Sequence, residues 1–274
     1  MNILVTRTLS GFVYVAAIAA AILLGPTTCM VFFAFLTGLA LWEFYTLIEK
    51  QRQTIREKWL AIFGGVYLFA SGFLSFSGIL PLRFVSLWFL VMLFILIREL
   101  YNKKTNPFQE TAMVFFGQLY IALPLMVMGR LTYPLDDTGT YFPFLLMAFF
   151  VLIWVYDTGA YLVGVSFGKH RLFERISPKK SWEGLIGGYI LAIGTSIGIS
   201  YLLPGHMSTW QWIGFALVTV TFGTWGDLVE SMIKRTLNVK DSSNMIPGHG
   251  GLLDRIDSCL VAIPAVVIYY LFIL

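Results

Sequence analysis

YFPFLLMAFFVLIWVYDTGAYLVGV, residues 141–165, carries a single charged side chain, Asp157, in 25 positions. About 20 mostly apolar residues are enough to cross the hydrocarbon core of a bilayer as a helix, so this run reads as a membrane span. A charge within a span costs about 2.5–3.5 kcal/mol at the bilayer centre on insertion scales and marks a place of function. Asp157, Ala160, Tyr161 and Gly164 fall on one helical face, and an acid there suggests a polar cavity. Gly164 and Gly168 form a small-xxx-small pattern that lets helices approach closely.

Working outward, the whole chain has the same character. Its 274 residues are 58% hydrophobic and 12% charged, against about 25% charged in soluble domains. Nine apolar runs fit spans, at 8–25, 28–48, 59–77, 79–97, 111–130, 141–165, 183–203, 209–230 and 253–274. Gly72, Gly78 and Pro81 leave little room between the third and fourth. With the amino terminus inside, 17 of the 19 Lys and Arg residues face the cytoplasm and only Arg83 and Arg130 lie outside, as the positive-inside rule expects. The expectation is an all-α polytopic integral membrane protein of about nine transmembrane helices, amino end cytoplasmic and carboxyl end outside. Residues 1–140 supply spans without a recognised motif, and 141–274 carry the chemistry on the cytoplasmic face. The first run lacks an A-x-A-like cleavage site and reads as a retained helix. The net charge of +4 sits in short membrane-flanking loops, where it orients the chain and meets lipid headgroups; it does not indicate nucleic acid. Cys29 and Cys259 show neither zinc spacing nor a disulfide framework.

Two polar segments look like more than linkers. SMIKRTLNVKDSSNMIPGHGGLLDRID, Ser231–Asp257, crowds Lys234, Arg235, Lys240, Asp241, His249, Asp254, Arg255 and Asp257 between apolar runs. Asp227 and Glu230 close the eighth span three residues apart, and Asp254 and Asp257 open the ninth with the same spacing, so each pair shares a helix face. Carboxylates in such numbers suit a hard cation such as Mg²⁺, which keeps oxygen ligands and waters; ion pairs with Arg235 and Arg255 at the interface are the lesser alternative. PGHGG is a turn with three glycines, either structural or ligand-binding. In the other segment, Ser177 and Pro178 read as an N-cap and first helical residue. That would place Lys179 and Lys180 in the first turn, where cations oppose the helix dipole unless an anion binds.

Ser231-x-Ile233-Lys234-Arg235, Lys240-Asp241 and Ile246-Pro247-x-His249-Gly250-Gly251-Leu252-x-Asp254-Arg255-Ile256-Asp257 together resemble the signature of the phosphatidate cytidylyltransferases, or CDP-diacylglycerol synthases. Asp157-Thr158-Gly159-Ala160-Tyr161, Phe167-Gly168-Lys169 and Ser177-Pro178-Lys179-Lys180-Ser181-x-Glu183-Gly184 resemble the family's second region. The resemblance covers roughly 154–258. It implies that CTP and phosphatidate give CDP-diacylglycerol and pyrophosphate, with Mg²⁺ held by Asp227, Asp254 and Asp257. It also implies a homodimer, assistance by a monovalent cation such as K⁺, and a bacterial inner membrane with the site facing the cytoplasm.

An ionised phosphatidate oxygen needs no strong base to attack the α-phosphorus of CTP. Charge repulsion and pyrophosphate departure are the problem, so positioning and electrostatics carry such a reaction. Asp227, Asp254, Asp257, Lys234 and Arg235 are the expected catalytic set. Asp157, Lys169, Lys179, Lys180, Lys240, His249 and Arg255 are expected to bind substrate. His249 would either donate to a phosphate or hold the glycine turn. A CTP-dependent kinase of a polyprenol-type alcohol is the enzyme alternative, and an ion transporter is the alternative of another class. The kinase would release CDP, and the transporter would spread its charges through the membrane depth.

Overall fold

A computed structural model describes residues 3–50, 55, 57–101, 107–133, 139–243, 245–246 and 250–273. The described chain is helical apart from one small hairpin, and it forms two units. One comprises Met1–Pro143 with Asp241–Ile256, the other Phe144–Lys240 with Asp257–Leu274. Among the described residues, seven helical stretches are long and apolar enough to cross a membrane, and the chain is an all-α polytopic membrane protein.

The first unit contains α1 (Ile3–Leu23), α2 (Pro26–Glu49), α3 (Lys58–Phe76), α4 (Leu87–Glu99), α5 (Pro107–Gly117) and α6 (Leu123–Met128). A π turn, Gln118–Ala122, joins α5 to α6, so Phe108–Thr132 acts as one apolar span. Gln118 is fully buried and every polar atom of its amide is used. It donates to Tyr45 Oη (3.0 Å) and to the Ala61 carbonyl (2.7 Å), and accepts from Trp88 Nε1 (3.1 Å). Bonds from α5's end to α2, α3 and α4 satisfy groups that lipid could not. The predicted fourth span at 79–97 becomes a turn, a 3₁₀ segment (Leu82–Phe84) and the 13-residue α4. At 1.5 Å per residue α4 is about 20 Å long, short of a ~30 Å core. Gly78, at φ 76°, and Pro81 interrupt the run before it.

The second unit contains α7 (Phe144–Phe167), the antiparallel strands β1 (Arg171–Phe173) and β2 (Ser177–Ser181), α8 (Trp182–Leu202) and α9 (Thr209–Thr236). α10 (Leu253–Ile273) begins in the first unit and continues into the second. Ser208 opens α9 with a capping box closed by Gln211. The same Gln211 donates to the Ile273 carbonyl (3.0 Å) and accepts from Tyr269 through its own carbonyl (2.9 Å), which ties α9 to α10. At the other end of the contact, a Cβ on Gly226 would lie 2.6 Å from the Asp257 carbonyl oxygen. Only glycine lets the two backbones meet there.

Two expectations are corrected. α9 does not stop near Glu230 but runs on to Thr236, carrying Lys234 and Arg235 in its last turn, where cations complement the dipole. Lys179 and Lys180 lie on β2, not in a first helical turn. The N-cap is Ser181, whose Oγ accepts from Gly184 N–H (3.2 Å). Glu183, an acid in the first turn, suits that helix end better than two lysines would.

Candidate active site

Four elements of the second unit enclose a cavity of about 590 Å³. α7 contributes Asp157 and Tyr161, the hairpin contributes Arg171, Lys179 and Lys180, and α9 contributes Asp227, with Gly184 of α8 on the wall. The hairpin holds its place through Glu183, which accepts from the Lys169 N–H (3.1 Å), the His170 N–H (3.2 Å) and His170 Nδ1 (2.6 Å). α7 and α8 pack through small residues: a Cβ on Gly184 would lie 3.1 Å from Gly164 Cα. The Gly164 and Gly168 pattern is therefore a packing device that also leaves open space beside it.

Lys180 Nζ reaches Asp227 Oδ2 at 2.5 Å, and both side chains remain partly exposed, at 25% and 30%. Asp227 Oδ1 accepts from Ser231 Oγ one turn on (3.2 Å). Asp257 interacts electrostatically with Asp227, Glu230 and Asp157, and its Oδ1 accepts from the Ser258 N–H (2.6 Å). Glu230 is buried and pairs with Lys234 four residues on, at 2.5 Å. The cavity lining thus brings Arg171, Lys179 and Lys180 together with Asp157 and Asp227, with Tyr161 and Val165, both well exposed, beside them. The cations can hold phosphate oxygens. Among the described residues no three His, Cys, Asp or Glu side chains are grouped to hold a metal ion. Mg²⁺ needs only one or two carboxylates when phosphates and waters complete its shell, and the oxygen donors of Asp227 and Asp257 fit that requirement.

In the first unit Asp254 is held by Gly251 and Ser242. Its Oδ2 accepts from the Gly251 N–H (2.8 Å), the Ser242 N–H (3.1 Å) and Ser242 Oγ (3.0 Å). Glu43 of α2 joins this cluster: its carboxylate accepts from Ser242 Oγ and from the backbone amides of Leu252 (2.8 Å) and Leu253 (3.4 Å).

Residues 5–273 match the cytidylyltransferase family. The chain belongs to that family. Similar proteins include a phosphatidate cytidylyltransferase of Haemophilus influenzae, 34% identical over 98% of this chain and 99% of the relative. One from Staphylococcus aureus is 36% identical over 60% of each chain. Another from Staphylococcus epidermidis is 32% identical over 70% of this chain and 67% of the relative.

Against this cytidylyltransferase frame, the expected residues fall into groups. Asp157, Lys179, Lys180 and Asp227 line the cavity, and Asp257 interacts electrostatically with both of those acids. Lys234 is engaged with Glu230. Lys169 contributes a backbone bond beside the hairpin, and Arg235 and Lys240 are exposed at and beyond the end of α9. Asp254 is fixed by Ser242 and Gly251 in the first unit, where the Arg255 carbonyl accepts from Tyr14 Oη (2.9 Å). His249 lies outside the described residues. Sequence reasoning missed Arg171, counted only as an orienting charge. It also missed Glu43, although a lone acid in an apolar run is the same signal that singled out Asp157.

Proposed function

We propose that this chain transfers CMP from CTP to phosphatidate, giving CDP-diacylglycerol and pyrophosphate. The observation that carries the reading is the cavity of the second unit. It is lined by two lysines and an arginine together with carboxylates on membrane helices, in a chain that matches a family of cytidylyltransferases along nearly its whole length.

A phosphatidate oxygen, already ionised at neutral pH, bonds to the α-phosphorus of CTP. The bond from that phosphorus to the oxygen bridging to the β-phosphate breaks, and pyrophosphate leaves with the electron pair. No proton has to move, so the protein's task is to bring two polyanions together and steady the charge on the leaving group. Arg171, Lys179 and Lys180 are placed to bind phosphate oxygens. Asp227 holds Lys180 by its ammonium, so the lysine is oriented before substrate arrives. Tyr161 and Val165 offer an apolar margin for the acyl chains. Asp227 and Asp257 are the carboxylates proposed for Mg²⁺, and the resemblance adds Asp254. Such an ion supplies Lewis-acid neutralisation of the phosphates. Lys234 and Arg235 are assigned to catalysis, and Asp157, Lys169, Lys240, His249 and Arg255 to substrate binding, on the resemblance. So are a homodimer and a K⁺ requirement. Basic residues concentrated in alternate loops support a site toward cytoplasmic CTP, and a bacterial inner membrane is assigned on the resemblance.

Product analysis tests the reaction. Purified protein in liposomes receives phosphatidate, radiolabelled CTP and Mg²⁺, with and without chelator. The expected result is chelator-sensitive, labelled CDP-diacylglycerol with matching pyrophosphate. Labelled CDP without a cytidine-bearing lipid would instead identify a kinase-type acceptor reaction.

A further inference from the structure

Glu43 stands in α2, six residues before its end, and its surface is 1% exposed. A carboxylate within a membrane helix is costly unless it is well satisfied. The described contacts of this one are a hydroxyl and two backbone amides, from Ser242, Leu252 and Leu253. Leu252 and Leu253 lie at the start of α10, where the first N–H groups of any helix have no acceptor within it. Glu43 caps that end from a helix some 200 residues earlier in the chain.

The other side of the same turn is held by Asp254. Its Oδ2 takes the Gly251 N–H at 2.8 Å and Ser242 Oγ at 3.0 Å. Ser242 therefore touches both carboxylates. Consecutive amides 251, 252 and 253 are divided between them. A Cβ on residue 251 would overlap Glu43 Oε1 and Ser242 Oγ, which accounts for glycine at that position by space alone.

We infer that Glu43 is a positioning residue for the cytidylyl transfer: it fixes the Gly251–Asp254 turn so that the Asp254 carboxylate is presented in one orientation, without itself touching substrate. This rests on the proposed reaction. It assigns a task to the first unit, whose spans carry no recognised motif.

The test combines an exchange measurement with kinetics on the full-length protein in detergent. Glu43→Gln keeps one acceptor oxygen but turns an NH₂ toward groups that are themselves donors. Hydrogen–deuterium exchange in the peptide containing Leu252 and Leu253 is expected to quicken about tenfold or more, the equivalent of one hydrogen bond to a charged group. Exchange elsewhere should stay unchanged. kcat is expected to fall about tenfold or more, while KM for CTP and for phosphatidate stays within about twofold, the pattern of a transition-state effect. Glu43→Asp should recover part of both losses. Unchanged exchange in E43Q overturns the cap. Faster exchange with kcat within about twofold of the parent overturns the positioning role and leaves a structural one. If E43Q does not purify, Ser242→Ala is measured in its place: unchanged exchange again overturns the tie, and unchanged kcat again overturns the positioning role. If the parent enzyme makes no CDP-diacylglycerol, the proposed reaction has failed, and the exchange arm still reports whether the tie exists.

Discussion

Both units place carboxylates in membrane helices, and they satisfy them by opposite means. Asp227 in the second unit pairs directly with Lys180 on the lining of a cavity, with 30% of its side chain exposed. Glu43 in the first is 1% exposed and is held by backbone amides and a hydroxyl. A partly exposed ion pair is weak and exchangeable: a phosphate can take the lysine and a cation can take the acid. A buried carboxylate bonded to amides has nothing to exchange and fixes the backbone around it. The first arrangement suits displacement by ligands, the second permanence. Asp254 is half-buried but resembles the second kind in its donors, which are the Gly251 N–H and the Ser242 N–H and hydroxyl.

The largest effect should come from paired neutralisations that set the two kinds of acid apart. Asp227→Asn is expected to lower kcat by at least about a hundredfold, as loss of a catalytic electrostatic group does. Thermal stability in detergent should hold or rise, because one of several neighbouring acids is gone. Asp254→Asn should lower turnover comparably and also reduce stability by about 1–3 kcal/mol, because an amide is a poorer acceptor for the three donors held there. Equal stability for the two variants in a thermal-shift assay would erase the distinction. Wild-type turnover in D227N would remove Asp227 from the site.

Next comes Gly226, where α9 meets α10. Gly226→Ala sets a methyl 2.6 Å from the Asp257 carbonyl. Backbone, unlike a side chain, has no rotamer to yield, and overpacking of this kind costs about 1–3 kcal/mol. Because the shift would separate Asp227 from Asp257, turnover should fall by more than the melting temperature suggests. A loss of activity no greater than that of a stability-matched variant elsewhere in the second unit would show that the spacing of these acids is not critical. A smaller change is expected for Lys180→Ala: an apparent KM raised about tenfold for one anionic substrate, the value of one charged hydrogen bond, with stability unaffected. Unchanged KM for both substrates would leave the lysine as a counter-ion of Asp227 and nothing more.

Much of this was legible from composition, because apolar runs of about 20 residues have one structural solution in lipid. Asp157 and Asp227 were found because a charge in such a run is conspicuous, and Lys179 and Lys180 because a helix start was expected just before them. What was illegible depended on competition between local signals. Ser177 read as the N-cap, but the helix starts after Ser181, with Glu183 in its first turn gathering the amides of the preceding segment. Glu43 was passed over because it sits alone, and its partners come from the far end of the sequence. No pattern within α2 points to Ser242 or Leu252.

The end of α9 was legible in principle, and it yields the mildest prediction. Asn238 has φ 53°, the left-handed conformation favoured just past a helix. Its N–H bonds the Arg235 carbonyl (3.1 Å) and the Val239 N–H bonds the Lys234 carbonyl (3.0 Å), the paired bonds of a Schellman motif. The expected helix end, near Glu230, ignored this asparagine in favour of the charges before it. Those charges belong to the helix: Lys234 pairs with Glu230 across one turn and completes the dipole. Asn238→Gly should therefore be neutral or slightly stabilising. Asn238→Val, which forces a β-branched residue into that conformation, should cost about 1–2 kcal/mol. The penalty falls on the turn between Arg235 and Lys240, assigned above to catalysis and substrate binding, so thermal shifts should separate the two substitutions and kcat should fall severalfold in Asn238→Val alone. Parent-like kcat and KM in Asn238→Val would instead remove Arg235 and Lys240 from the catalytic and binding assignments and confine the exchangeable chemistry to the cavity around Asp227.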